Sequence, residues 1–269
     1  MSGIYSPTWG SEQSTSPFFQ SRQKKQLPFF LDTVTDDPRG SYLLDCRTEQ
    51  YLIVNRRMAQ FACGEIEKMQ NRGIAFVSNQ LWFADDWHTY SKFILPTIAG
   101  FYHKQDQTKW TDFEVLLNYR VKYYSGKKVR YRHVMQHSRY IQFSAHSEPE
   151  LILGNVSDTC LPDLHKILHL KILYRGEQVF QKSFISVGAA FDISHAQMCV
   201  LLLHARGMEY KKMSNQLQIP RETINSRLKT IRSASHCETF EELQILAFQL
   251  DPVLFDIFSE TQGGKSVDQ

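Results

Sequence analysis

The sequence predicts an α+β chain in two parts: an antiparallel sheet with helices, then an all-α segment of four helices. Three observations predict it. Phe113 to Tyr124 and Lys128 to Phe143 alternate apolar and polar side chains with period two around Ser125-Gly126-Lys127, the pattern of a hairpin of half-buried strands. From Ser194 onward the apolar residues instead recur three and four apart, the period of helices buried along one face. Between the two lies Ser186-Val187-Gly188-Ala189-Ala190, small residues suited to a linker.

At 269 residues the chain has room for two domains, each with its own core, and its 42% hydrophobic content is that of a globular protein. The five cysteines (Cys46, Cys63, Cys160, Cys199, Cys237) are odd in number and lack paired metal-ligand spacing. They read as reduced thiols, and no metal is expected. No apolar run approaches the ~18–20 residues of a membrane span. The N-terminus lacks a basic-then-apolar signal. The expected setting is the cytoplasm, with no membrane partner.

In chain order, residues 1–28 are rich in Ser and Gln and are expected to form a flexible arm, with Tyr5, Trp9, Phe18 and Phe19 available to dock. Tyr42–Cys46 and Gln50–Val54 read as short strands around Arg47-Thr48-Glu49. Arg56 to Cys63 turns helical, and Gly64 stops it. Asp85-Asp86 opens a longer helix whose expected buried face is Trp87, Tyr90, Ile94, Ile98 and Phe101; Pro96 is expected to kink or end it. In the hairpin, Val115, Leu117, Tyr119 and Val121 form one apolar face, and Val129, Tyr131 and Met135 another. Leu151–Val156 is a further strand ended by Ser157-Asp158. His169–Tyr174 and Gln178–Phe184, around Arg175-Gly176-Glu177, give one more hairpin, placed either on the same sheet or against a second subunit.

The all-α segment carries most of the functional signal. Met198, Leu201, Leu202 and Ala205 follow Ser194 at helical spacing, and Gly207 closes that helix. A short helix, Tyr210–Leu217, buries Met213 and Leu217. Gln218-Ile219-Pro220 breaks the chain, and a third helix runs from Arg221 to about Ser233. Its apolar face is Ile224, Leu228 and Ile231; its other face shows Asn225, Ser226, Lys229 and Arg232. Two short helices joined by a tight turn, the second polar outside, make a helix-turn-helix, whose second helix fits the major groove of DNA. From Ile193 to Ser233 there are seven Lys/Arg against two Glu, the charge balance of a phosphate-facing surface. Beyond Ser233 the sign reverses at Glu238, Glu241, Glu242, Asp251, Asp256 and Glu260, so the fourth helix should turn away from DNA.

On these residues the segment resembles the LuxR-type helix-turn-helix of bacterial transcription regulators. The likeness runs without gaps from Ile193-Ser194 through Gly207, Lys211-Lys212-Met213-Ser214, Leu217-Gln218-Ile219, Thr223-Ile224 and Arg227 to Ile231, and closes at Cys237 to Leu243. It implies double-stranded DNA as partner, a homodimer, and RNA polymerase as a further contact. It assigns base reading to Asn225, Ser226 and Lys229, and backbone contacts to Lys211, Lys212, Arg221, Thr223, Arg227 and Arg232. The chain departs from the family pattern at Gln197, usually acidic, at Pro220, usually a hydroxyl cap, and at Arg227, often His.

Residues 29–163 resemble a PAS-like sensor on the acidic helix start at Asp85-Asp86, the hairpin around Gly126, and Leu153 to Thr159. The expected organisation is therefore an arm at 1–28, a PAS-like domain at 29–165, a hairpin and linker at 166–190, a LuxR-type DNA-binding domain at 191–256 and a tail at 257–269. Trp82, Trp87, Tyr90 and Phe93 are the candidate lining of a sensor pocket for an unidentified small molecule. No cofactor is assigned: Asp45-Cys46-Arg47 lies in an extended run, unlike the helix-borne flavin cysteine of light sensors, and His88 and His103 read as structural before they read as haem ligands.

Between Arg120 and Tyr140 lie seven Lys/Arg and no acid, and a three-residue loop would put Arg120, Lys122, Arg130 and Arg132 on one side. That face reads as a solvated surface ahead of a second phosphate contact or a site for an anionic ligand. The phosphate loop, HExxH and GxSxG motifs are missing, so no enzyme is expected. Two alternatives are a response regulator with a receiver-type N-terminal domain, and an interaction module whose basic helices bind acidic proteins.

Overall fold

The computed structural model describes residues 30–146, 148–159 and 166–250. The expected arm at 1–28, the tail at 257–269 and Cys160 lie outside them. Contacts group the described chain into two compact units. One holds the residues up to 159 together with His169–Gln181, and the other holds Lys166–Leu168 together with the residues from Lys182 on.

Seven strands among the described residues form one sheet: β1 (Gly40–Asp45), β2 (Gln50–Val54), β3 (Phe113–Ser125), β4 (Lys128–Phe143), β5 (Pro149–Asp158), β6 (Ile167–Tyr174) and β7 (Glu177–Ile185). Their spatial order is β2-β1-β5-β4-β3-β6-β7. The β3–β4–β5 meander returns beside β1 rather than at an outer edge, and, apart from a helical stretch at 30–36 ahead of β1, the helices fall between β2 and β3, which is the PAS-like arrangement. With the helical segment that follows, the fold is the α+β one expected. The pairings β1–β2, β1–β5, β3–β4, β3–β6 and β4–β5 are all antiparallel, where a receiver-type domain needs parallel strands with helical crossovers. The last hairpin extends this sheet, β6 pairing along β3. Its turn is Arg175-Gly176, both at positive φ, as a two-residue type I′ hairpin requires.

One row of inward side chains runs across the sheet through Tyr42, Gly154, Ser138, Val115 and Ile172, which pair in register. Val115, Leu117, Tyr119 and Val121 are buried as expected. On β4 the buried parity is the even one, with Val134 fully buried, so Val129 and Tyr131 are exposed rather than part of an apolar face. The reason is the turn. Ser125 pairs with Lys128, leaving a two-residue loop, Gly126-Lys127, with Gly126 at positive φ. Arg120 and Lys122 then share one face and Arg130 and Arg132 the other, against the expectation that a longer loop would align them.

Between β2 and β3 the α-helices are α1 (Ile66–Phe76), α2 (Ala84–Thr89) and α3 (Leu95–His103). Pro96 neither kinks nor ends the long helix. A π-helical turn, Tyr90–Ile94, joins α2 to α3 and leaves Pro96 in the first turn of α3, where its missing N–H costs little. The wider turn shifts the buried face to Asp86, Thr89, Ile94, Ile98 and Tyr102, leaving Trp87, Tyr90 and Phe101 half-buried. Arg56–Gln60 is a 3-10 turn, capped by Asn55, rather than a helix reaching Cys63. β5 continues through Asp158 instead of stopping at Ser157.

Two polar anchors hold the elements together. Buried Asn55 accepts from Ser41 N and Met58 N and donates to the Val34, Asp37 and Arg39 carbonyls, fastening residues 34–39 to the end of β2. Asp86, 1% exposed, accepts from the Arg120 backbone N at 2.8 Å and from its guanidinium at Nε and Nη2, while that guanidinium lies 3.9 Å over the Phe83 ring. This fixes the start of α2 on β3. Removing one partner strands a buried charge, so Asp86→Ala is expected to cost about 3–5 kcal/mol. Urea unfolding will measure it; the Asp86→Leu, Arg120→Met double variant should recover most of the loss, and no recovery would show the pair is not the cause.

Candidate nucleic-acid interface

The second unit contains α4 (His195–Ala205), α5 (Tyr210–Leu217), α6 (Arg221–Ser235) and α7 (Phe240–Leu250). Ser194 caps α4, its Oγ accepting from Gln197 N while Gln197 Oε1 accepts from Ser194 N at 3.0 Å. Gln197, where the LuxR-type pattern has an acid, completes this reciprocal capping box as an acid would. At the other end Gly207 N bonds the His204 carbonyl and Met208 N the Leu203 carbonyl, with Gly207 at positive φ. That is a Schellman closure, and Met208 and Leu203 pack in one cluster as the motif prefers.

α5 ends at Gln218, a left-handed residue at φ 52°, and Ser214 Oγ donates to the Ile219 carbonyl across the turn. Pro220 precedes α6 without a side-chain cap. The missing cap costs about 1 kcal/mol and the left-handed Gln218 about 1–2 kcal/mol. Against this, Val200, Leu203, Met213, Ile224 and Leu228 bury one another, each contributing roughly 1.5–3 kcal/mol. Packing therefore outweighs both local penalties.

α6 is oriented by that stripe. Ile224, Leu228, Ile231 and Ser235 are buried, while Asn225, Ser226 and Lys229 on the opposite side are exposed. Lys211, Lys212 and Arg221 are exposed, and Thr223 is half-buried. The remaining two candidates are partly engaged. Half-buried Arg227 donates to the Ala196 carbonyl at 3.3 Å, and Arg232 donates to the Cys237 and Glu238 carbonyls beyond the end of α6. Each guanidinium has five N–H donors, so these bonds position the group and leave others unused.

Lys166, outside the expected DNA-binding segment, donates to the His236 carbonyl at 2.8 Å and pairs with Glu238 at 2.6 Å, holding the Glu238 carboxyl below its usual range. Thr239 Oγ1 accepts from Glu242 N at the start of α7, and Gln244 ties α7 to the Ala205 carbonyl. The Glu242 carboxylate in turn accepts from Glu238 N, so the first acids after α6 take part in the cap of α7. Sequence reasoning missed Lys166 because nothing local marks a partner 72 residues away.

A recess of ≈310 Å³ lies along α6, lined by Asn225 and Lys229 together with His204, Tyr210 and Phe240. The His204 ring meets Phe240 edge-on at 5.0 Å.

In the first unit, Trp82 stacks on Tyr119 at 3.7 Å and meets Trp87 and Tyr90 at 5.3 and 5.2 Å. Among the described residues Phe93 makes no ring contact with them, and Lys92 Nζ lies 5.8 Å from its ring centroid. The structure adds Tyr42, Tyr51 and Tyr140 to this interior. Burial raises all their hydroxyl pKa values, that of Tyr90 to about 12. The inward strand parity of Tyr42, Tyr119 and Tyr140 was the signal for them. Gly154, facing Tyr42 in register, makes room for its ring: a Cβ there would fall 2.3 Å from Tyr42 Cζ. Burial also raises the Cys46 thiol to about 12, so Cys46 stays protonated.

No protein-family model matches the chain, and no curated protein matches it in sequence. Among solved structures, the phage VqmA–DPO complex is 10% identical, aligned over 86% of this chain and 90% of that one, with a TM-score of 0.29. A Vibrio cholerae VqmA dimer without target DNA, described with LuxR-type receptors, is 12% identical over 84% and 87%, with a TM-score of 0.30. VqmA bound to DPO is 12% identical over 82% and 88%, at 0.29. At such scores these likenesses carry no function across.

Burial, then the nearby Arg232 charge, lowers the His204 pKa below 6.5. Between its folded and unfolded values the unfolded chain binds the extra proton, so the second unit should lose stability as pH falls through that window. Thermal melts between pH 7.5 and 5 should show the loss, and His204→Gln should flatten it; an unchanged profile would assign the pH dependence to another group.

Proposed function

We propose that the chain is a sequence-specific DNA-binding transcription regulator and not an enzyme. A PAS-like domain at 29–165 would sense a small molecule or dimerise, and so control a helix-turn-helix domain at 191–256. The observation that carries the reading is the division of α6: Ile224, Leu228 and Ile231 buried behind, Asn225, Ser226 and Lys229 exposed in front. A helix of this width enters the major groove. There an amide can bond adenine N6 and N7 and an ammonium guanine O6 and N7, the contacts that distinguish base pairs.

Lys211, Lys212 and Arg221, with the spare donors of Arg227 and Arg232 and the hydroxyl of Thr223, supply phosphate contacts that set register without reading sequence. Paired copies binding adjacent half-sites give a homodimer its purpose, and RNA polymerase is the contact through which output would follow. Among the described residues no helix is long and apolar enough to cross a membrane, and we place the protein in the cytoplasm. The tyrosine- and tryptophan-lined interior of the first unit is the proposed ligand position, with Trp82, Trp87 and Tyr90 at its wall and Phe93 at its margin.

Gel-shift titration against salt tests the reading. Lys229→Ala should weaken binding to the cognate site by about 1–3 kcal/mol more than binding to unrelated DNA. Equal loss on both removes Lys229 from base reading. Lys211→Ala should lower affinity for every sequence and flatten the salt slope by about one unit. Affinity independent of salt would point instead to a protein partner.

A further inference from the structure

The β3–β4 hairpin runs beyond the rest of the sheet. β6 pairs with β3 only as far as Leu117, and β5 pairs with β4 only from Val134. Past these points, among the described residues, the two strands continue without a third strand to the Gly126-Lys127 turn, braced at their base by the Trp82–Val121 bridge and by the bond from Cys63 Sγ to the Lys122 carbonyl. Every residue from Tyr124 to Tyr131 is exposed. The ribbon from Lys122 to Tyr131 holds four cations, three tyrosines and a valine, and the chain from Val115 to Ser147 contains no acid at all.

Two cations of the wider basic cluster have structural work: Arg120 is held by Asp86, and Arg132 by Asp158 and the Gln60 carbonyl. Lys127, Lys128 and Arg130 form no ion pair among the described residues, and Lys122 lies 5.2 Å over the Tyr124 ring. Register divides the ribbon's faces. Lys122, Tyr124, Val129 and Tyr131 share one; Tyr123, Ser125, Lys128 and Arg130 share the other. Tyr124, Val129 and Tyr131 are 55%, 49% and 44% exposed. An isolated hairpin tip gains nothing in water from such large apolar groups.

We propose that this hairpin is a second DNA-contacting element, a basic β-ribbon that lies in a groove of duplex DNA. Shape and charge both favour a groove. Two strands lie about 4.8 Å apart, and the four residues before the turn reach roughly 14 Å. The major groove, about 12 Å wide and 8.5 Å deep, admits such a ribbon. Cations on both faces and at the turn match phosphates on both walls, whereas a flat anionic bilayer would meet one face only. The tyrosine rings and Val129 would lie against sugars and base edges, contributing contact without fixed sequence. A second copy of the same hairpin is excluded as the partner by like charge.

The inference rests on the reading that the chain binds duplex DNA, and two sets of variants in the full chain separate the two. The probe is a fluorescent 30-bp duplex of mixed sequence, titrated over a range of KCl. Replacing Lys122, Lys127, Lys128 and Arg130 by Gln should reduce the salt slope by about 3–4 units, since each phosphate contact contributes roughly 0.9, and should lower low-salt affinity at least ~10-fold. A second protein carries Lys211→Ala, Lys212→Ala, Asn225→Ala and Lys229→Ala, and should keep a salt-dependent component that the hairpin changes then remove.

A hairpin variant that titrates like wild type overturns the inference and leaves the α6 reading standing. Loss in the hairpin variant with none in the α6 variant supports the ribbon and sinks α6. No binding by wild type overturns both. Unchanged DNA binding with lost retention on phosphatidylserine vesicles would make the ribbon a membrane contact and overturn the proposal. Should the fourfold variant melt early, Lys127→Glu with Lys128→Glu in the exposed turn gives the same test, with an expected slope change of about 2 units or more; no change overturns it.

Discussion

The burial of Ile224 and Leu228 against Val200, Leu203 and Met213 is the constraint on which the helical unit depends. Rotation of α6 by one residue, about 100° around its axis, would bring polar Asn225 and Lys229 into this cluster and drive its apolar stripe into water. Burying those groups without partners costs several kcal/mol each, and exposing the stripe loses a similar amount again. The outward face of α6 is therefore fixed from behind. A chain can carry a left-handed Gln218 and an uncapped Pro220 in the turn that places α6 because core packing supplies the difference.

The first unit solves a different problem with the same means. Its sheet is aromatic inside, and the rings fit because small residues, Gly154 and Ser138, occupy the row that Tyr42 crosses. Asp86 joins helix to sheet by binding both the backbone and the guanidinium of Arg120. Two arginines that look like free surface charge are thereby committed to structure, Arg120 to Asp86 and Arg132 to Asp158. The charge remaining at the hairpin tip lies outside the interactions that hold the sheet together.

Much of this was legible in the sequence because it is local. The apolar stripe of α6, the Gly207 closure and the alternation of β3 each depend on residues within one turn or one strand. On β4 the buried parity was the other one, and on α4 Leu201 and Ala205 are buried as expected while Val200 and Leu203, not Met198 and Leu202, enter the core. What escaped reading depended on one-residue differences or on distance. A two-residue rather than three-residue turn at Gly126-Lys127 reversed the facing of Arg130 and Arg132. The π-turn at Tyr90–Ile94 moved the buried face of the long helix and absorbed Pro96. Lys166–Glu238 and Asp86–Arg120 join residues 72 and 34 apart, and no periodicity announces such pairs. In the candidate interface the exposed face was legible from helical spacing; the bonds that restrain Arg227 and Arg232 to nearby carbonyls were not.

The central claim is that the exposed face of α6 meets nucleic acid. A photoreactive side chain placed at position 225, and in a separate protein at position 241 on α7, tests it most directly when each is irradiated with labelled duplex DNA. The account predicts a covalent adduct from position 225 and none from position 241. An adduct from 241 alone, or from neither under conditions where wild type binds, would contradict it.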